Sequence, residues 1–145
     1  MDLTIGSSFG SVSGVITSLG LILGMYGANM KSRPIVISLI SIALSDSISD
    51  ALGIYYGVKT QNKQNGAIQE ALYALTSKFL IPIFMILPFV LLDTTKGVLI
   101  NLVVGFSIII YMSNEIFVEK RQKIQNILIS WLAVILTYLV GKTFT

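Results

Sequence analysis

Cysteine and histidine are both absent from this 145-residue chain. Their absence excludes disulfides, thiolate metal sites, and imidazole ligands or proton relays, and leaves carboxylates, methionine, hydroxyls and carbonyls for any chemistry. Charge is scarce too: only 12% of residues are Asp, Glu, Lys or Arg, against roughly 25% in a soluble domain. What fills the space is apolar, with 54% hydrophobic residues and a mean hydropathy of +0.82. These values are those of a polytopic membrane protein. The net charge of +3 is spread over loops, and is too small and dispersed to indicate a nucleic-acid partner.

The length admits about five helices of about 20 residues with short connections, in a single transmembrane domain covering residues 1–145 and no soluble domain. The sequence predicts an all-α, five-span protein with spans at roughly 9–28, 34–57, 79–92, 97–112 and 124–140. The start lacks the basic region of a secretory signal, so the first span is expected to be retained. The stretch from Lys59 to Lys78 reads as a polar loop, in which residues 67–75 are either a short interfacial helix or an extension of the third span. Pro82 and Pro88 each remove a helical hydrogen bond from the third span. Asp93 is expected to cap the fourth span, and Asn101 to bond across helices. Basic residues set an N-inside orientation, with Lys59, Lys63, Lys78, Lys120, Arg121 and Lys123 inside against Lys31, Arg33, Lys96 and Lys142 outside.

Asp46 and Asp50 lie one turn apart in the second span. A carboxylate at the bilayer centre costs about 2.5 to 3.5 kcal/mol on insertion scales, so a pair on one helix face calls for a function. The two are about 6 Å apart along the axis, too close for both to carry charge cheaply at low dielectric, and are expected to share a proton or bind a cation. Asp46, Asp50, Gly53 and Gly57 form one acidic and small stripe, expected to face another helix. Glycine pairs at four-residue spacing in the first span are packing surfaces. Every Lys and Arg is placed at or beyond a span end, so a buried ion pair is not expected unless Lys78 or a dimer partner reaches inward. Ser13, Thr17, Ser45 and Ser49 offer hydroxyl oxygens to a cation path, although membrane hydroxyls more often bond their own backbone. Glu70 reads as a solvated helix residue.

The run from Ser45 to Gln61, SDSISDALGIYYGVKTQ, resembles the second-span signature of the vacuolar iron transporter family, A-x-A-L-S-M-A-x-G-E-Y-x-S-x-x-x-Q, with Ser49, Ala51, Gly53, Tyr55 and Gln61 matching. The first span, Gly10 to Ala28, resembles that family's G-x-N-D-G-L-V-T-x-x-A-L-V-x-G-V-x-G-A, and Ile127 to Gly141 resembles its last span. The resemblance implies a five-helix homodimer that exports ferrous iron or manganese from the cytosol in exchange for protons, its pathway between the first and second spans of both subunits. It implies no enzyme and no resident cofactor, with the metal ion as cargo. Ser13 stands where the family has an aspartate, Asp50 where it has a methionine, and Ile54 where it has a glutamate. The location of the site therefore transfers and its ligands do not. Asp50 is the first expected metal contact and Asp46 a contact or proton exchanger, with Ser13, Thr17 and Ser49 beside them. Hard oxygen in place of a thioether shifts preference toward harder cations. The alternative is a membrane scaffold or subunit whose aspartates serve assembly.

Overall fold

The computed structural model describes residues 3–61 and 66–145. Lys63, expected in an inner loop, lies outside the described residues. The described residues form five helices: α1 (Ile5–Gly27), α2 (Ser32–Thr60), α3 (Ala67–Leu91), α4 (Thr94–Ile116) and α5 (Lys120–Thr143). Each is long and apolar enough to cross a membrane. Every helix is longer than its expected span, although α1 and α3 stop one residue short of their expected ends, because hydropathy registers only the apolar middle of a helix. Thr4 and Ser7 close a reciprocal capping box at the start of α1. Asp93 accepts from the Lys96 backbone N–H at 2.9 Å, the cap expected at the start of α4.

The largest departure from expectation is α3, which starts at Ala67, twelve residues before the predicted boundary at Phe79. The second reading of residues 67–75, an extension of the third span, is the one observed, and little of the supposed loop remains. Gly66, at φ 99°, supplies a left-handed residue just before the helix. The helix then continues through Pro82 and Pro88. Asn101 of α4 donates to the Met85 carbonyl at 2.9 Å, in the α3 turn where Pro88 weakens the ladder. Moving Lys78 from a loop into a helix also leaves five inner cations against four outer ones. The charge asymmetry behind the expected orientation is then almost gone.

α1 is the central element and touches all four others. Its glycines allow this close approach. A Cβ at Gly6 would overlap the Glu70 carbonyl oxygen, one at Gly10 would lie 2.5 Å from the Ala74 carbonyl oxygen, and one at Gly14 would reach the Lys78 Cα at 3.4 Å. The first half of α1 thus runs parallel to α3 with the backbones nearly touching. Its second half meets α5, where Gly24 and Gly141 approach so closely that a Cβ on Gly141 would overlap the Gly24 carbonyl. The core between these contacts is built on Val15, Leu19 and Ile22 of α1, packed with Ile35 and Leu39 of α2, Phe89 of α3 and Ile109 of α4. Outward, the bundle presents bare apolar side chains such as Ile37, Phe84, Val103 and Leu132. Lipid tolerates such a surface and water does not.

Candidate functional site

The register between α1 and α3 decides what surrounds the aspartates. Gly14 brings the α3 backbone against α1 at Lys78, near the midpoint of α3, while Asp46 stands at the midpoint of α2. The Lys78 ammonium lies 2.8 Å from the Asp46 carboxylate and is paired with Asp50 as well. It also donates to the Ser13 hydroxyl at 2.8 Å, and that hydroxyl donates in turn to Asp50 Oδ2 at 3.1 Å. Three helices therefore converge on one polar cluster in the middle of the bundle.

Of the two exceptions to the expected lack of a basic partner, Lys78 or a dimer partner reaching inward, the first is observed. Lys78 is 3% exposed, whereas the side chains of Asp46 and Asp50 are 34% and 21% exposed. The cation is enclosed and its two counterions face partly outward. Counted formally, two carboxylates and one ammonium carry a net charge of −1. Four residues beyond Lys78 lies Pro82, which has no N–H to give the Lys78 carbonyl. That carbonyl oxygen loses its helical donor beside the cluster. Ser18, one turn beyond Gly14 on α1, is fully buried, and its hydroxyl has no hydrogen-bond partner among the described residues.

Of the five residues expected at the site, Asp46, Asp50 and Ser13 come together. Thr17 and Ser49 do not join them: both are exposed, and Thr17 donates to the Ser13 carbonyl of its own helix at 2.8 Å. Ser45 likewise donates to the Ser41 carbonyl. Lys78, named beforehand only as an exception, is the residue that completes the site. A sequence signal for it existed, since Ala71, Leu72, Ala74 and Leu75 precede it and Phe79, Leu80 and Ile81 follow. An apolar run on both sides of a lysine places it inside a span.

The stripe on α2 is also only partly as expected. Asp46 and Asp50 face α3, but Gly53 and Gly57 are exposed, and a Cβ on either would meet nothing within 4 Å. At about 100° per residue these four positions span only about 60° of arc, but the buried face of α2 follows Ile35, Leu39, Ala43, Ser47 and Ala51 at every fourth residue and so drifts about 40° per step away from the glycine end. Glu70, expected to be solvated, accepts from the Gly6 backbone N–H at 2.6 Å, placing a carboxylate at the positive end of α1.

Chemically, the cluster offers carboxylate and hydroxyl oxygens to a hard cation, with an ammonium already bound to them. No group of three or more acidic side chains able to hold a metal occurs among the described residues. Any cation bound at Asp46 and Asp50 must therefore share or displace the Lys78 contacts. No known protein family, no curated protein and no solved structure matches the chain.

Proposed function

We propose that the chain is a multi-pass membrane carrier of divalent metal cations of the ferrous iron or manganese class, coupled to protons. In it, Lys78 and the transported ion are alternative partners of the Asp46 and Asp50 carboxylates. The observation that carries this reading is the asymmetry of the cluster. The ammonium is enclosed, while the carboxylates keep an outward aspect and a formal charge of −1. One ammonium neutralises half of two carboxylates; one divalent cation neutralises both, and gains more from a low-dielectric site. A tethered cation that vacates the site without leaving the protein keeps the empty carrier from stranding two carboxylates in the membrane. Proton uptake by a carboxylate is the other route to the same compensation.

A second copy of the chain belongs to this reading. Ser41, Ser45, Ser49, Gly53 and Gly57 recur every fourth residue on α2 and are all exposed, beside the outward edges of the aspartates. A homodimer packed on this small-residue face would take the half-exposed carboxylates out of lipid. Replacing Gly53 and Gly57 by leucine should abolish crosslinked dimer and leave the protomer folded. A dimer that survives the change would move the interface elsewhere.

The experiment is metal flux into proteoliposomes with an imposed proton gradient, comparing iron, manganese, cobalt and zinc. The reading expects flux in the wild type, its loss with Asp50→Asn, and altered ion preference with Lys78→Met. A second reading is supported by the way the cluster satisfies itself, with Lys78 held by Asp46, Asp50 and Ser13 together. In that case it is a structural lock in a membrane scaffold. Absence of flux for every metal, with both variants less stable, decides for the lock.

A further inference from the structure

At the end of the bundle away from the N-terminus, the end of α1, the α1–α2 turn, the start of α4 and the end of α5 line an open polar cavity of about 560 Å³. Lys31 and Lys142 both line it, from opposite ends of the sequence. Among the described residues neither makes an ion pair, whereas Lys96 nearby is paired with Asp93 at 3.0 Å and Lys78 is paired in the bundle centre. Two like charges at the rim of one cavity repel each other, and an anion between them removes that repulsion.

Beside Gly27 and Met30, the uncharged lining includes several side-chain donors. Tyr26 and Thr95 line the cavity, and their hydroxyls lie 3.4 Å apart, long for a pair whose ordinary separation is about 2.7 to 2.8 Å. Both are thus available to a stronger acceptor. Asn29, held at φ 58° in the left-handed region, adds a side-chain amide. Lys31 is the N-cap of α2 and makes no side-chain cap bond, and because α2 and α4 start at the cavity while α1 and α5 finish there, the helix ends offset each other and the positive charge comes from the two lysines.

From this combination we infer that the cavity binds a phosphate-bearing anion, with Lys31 and Lys142 neutralising its charge and Tyr26, Thr95 and Asn29 donating to its oxygens. Phosphate offers several acceptor oxygens around one compact charge, which suits two ammonium groups with hydroxyl and amide donors between them. The cavity lies at the helix ends, where the headgroups of a bilayer would lie. A phospholipid headgroup and a soluble phosphate share the required chemistry. The inference does not depend on the transport reading.

The test uses the full chain in neutral detergent, with short-chain phosphatidic acid, short-chain phosphatidylcholine and inorganic phosphate alone as probes, followed by native mass spectrometry. Phosphatidic acid should bind as one molecule per protomer and more tightly than phosphatidylcholine. The double variant Lys31→Gln/Lys142→Gln should weaken it about ten- to thirtyfold, the loss expected for removing two interfacial lysines. Lys31→Arg/Lys142→Arg should retain it. Lys120→Gln/Arg121→Gln, at the other end of α5, should leave it unchanged. If inorganic phosphate binds alone with the same dependence on Lys31 and Lys142, the site stands and its ligand is soluble. Failure of every probe to bind, equal loss in the Lys120/Arg121 variant, or wild-type binding by the Lys31/Lys142 variant each overturns the inference.

Discussion

Replacing Lys78 by methionine keeps most of the length and the apolar stem of the side chain and deletes the charge. Two carboxylates are then left facing each other across one turn of α2, with only the Ser13 hydroxyl donating to Asp50. Removing one partner of a buried ion pair costs about 3 to 5 kcal/mol. Asp46 is 34% exposed and Asp50 21%, so both keep some outward relief, and the lower end of that range applies. The expected loss is about 3 kcal/mol, roughly a hundredfold in the unfolding equilibrium constant. Asp50→Asn should cost more than Asp46→Asn, because Asp50 is the less exposed and is held by both Lys78 and Ser13. The decisive quantity is the coupling in the Lys78→Met/Asp50→Asn double-mutant cycle, expected at about 2 kcal/mol. Unfolding by denaturing detergent in mixed micelles can be followed through Trp131, the sole tryptophan, which stacks on Phe106 with centroids 3.5 Å apart and thereby reports on α4–α5 packing. A Lys78→Met cost under about 1 kcal/mol together with coupling under about 0.5 kcal/mol would refute the ion cluster as an energetic unit.

Gly141→Ala pushes a Cβ into the Gly24 carbonyl and should cost about 2 kcal/mol in the same unfolding assay, whereas Gly53→Ala meets open space and should stabilise the protomer by about 0.5 to 1 kcal/mol. Equal effects at the two positions would contradict the packing of α1 against α5. Asn101→Leu removes the buried bond to the Met85 carbonyl and should lower stability by about 1 kcal/mol, measured likewise. Asp93 is held below its ordinary value of 3.8, first by the Lys96 backbone N–H and then by the Lys96 side chain. A depressed folded value means that its contribution to stability is present above 3.8 and is lost as pH falls through the lower folded value. Carbon-13 titration of the Asp93 carboxyl should give a midpoint below 3.8, and Lys96→Pro, which removes the donating N–H, should bring it back up.

How much of the site was legible before the fold was known differs residue by residue. Asp46 and Asp50 stood out because a carboxylate in an apolar run is costly wherever that run packs, and their spacing alone put them near one face. Asn101 and Asp93 were readable for related reasons: a buried amide needs a partner, and an aspartate before a helix accepts from its first turn. Lys78 was readable only as an exception, because Glu70, Ser77 and Lys78 leave the segment before Phe79 open between a polar loop and an extension of the third span. The close approach of α1 at Gly10 and Gly14 packs that segment as the first half of α3 and brings Lys78 to the aspartates.

Composition and hydropathy by themselves determined the all-helical class, the five helices long and apolar enough to cross a membrane, and the lack of thiol and imidazole groups in these 145 residues, since these follow from residue content and helix length. The tertiary structure decided which residues meet. It set α1 against α3 in parallel register, delivered an enclosed lysine to the two aspartates, left Thr17 and Ser49 outside, and opened the glycine end of the α2 stripe. Contacts between helices depend on rotation and register, and in a chain whose glycines permit near backbone contact, a shift of one turn changes every polar partner.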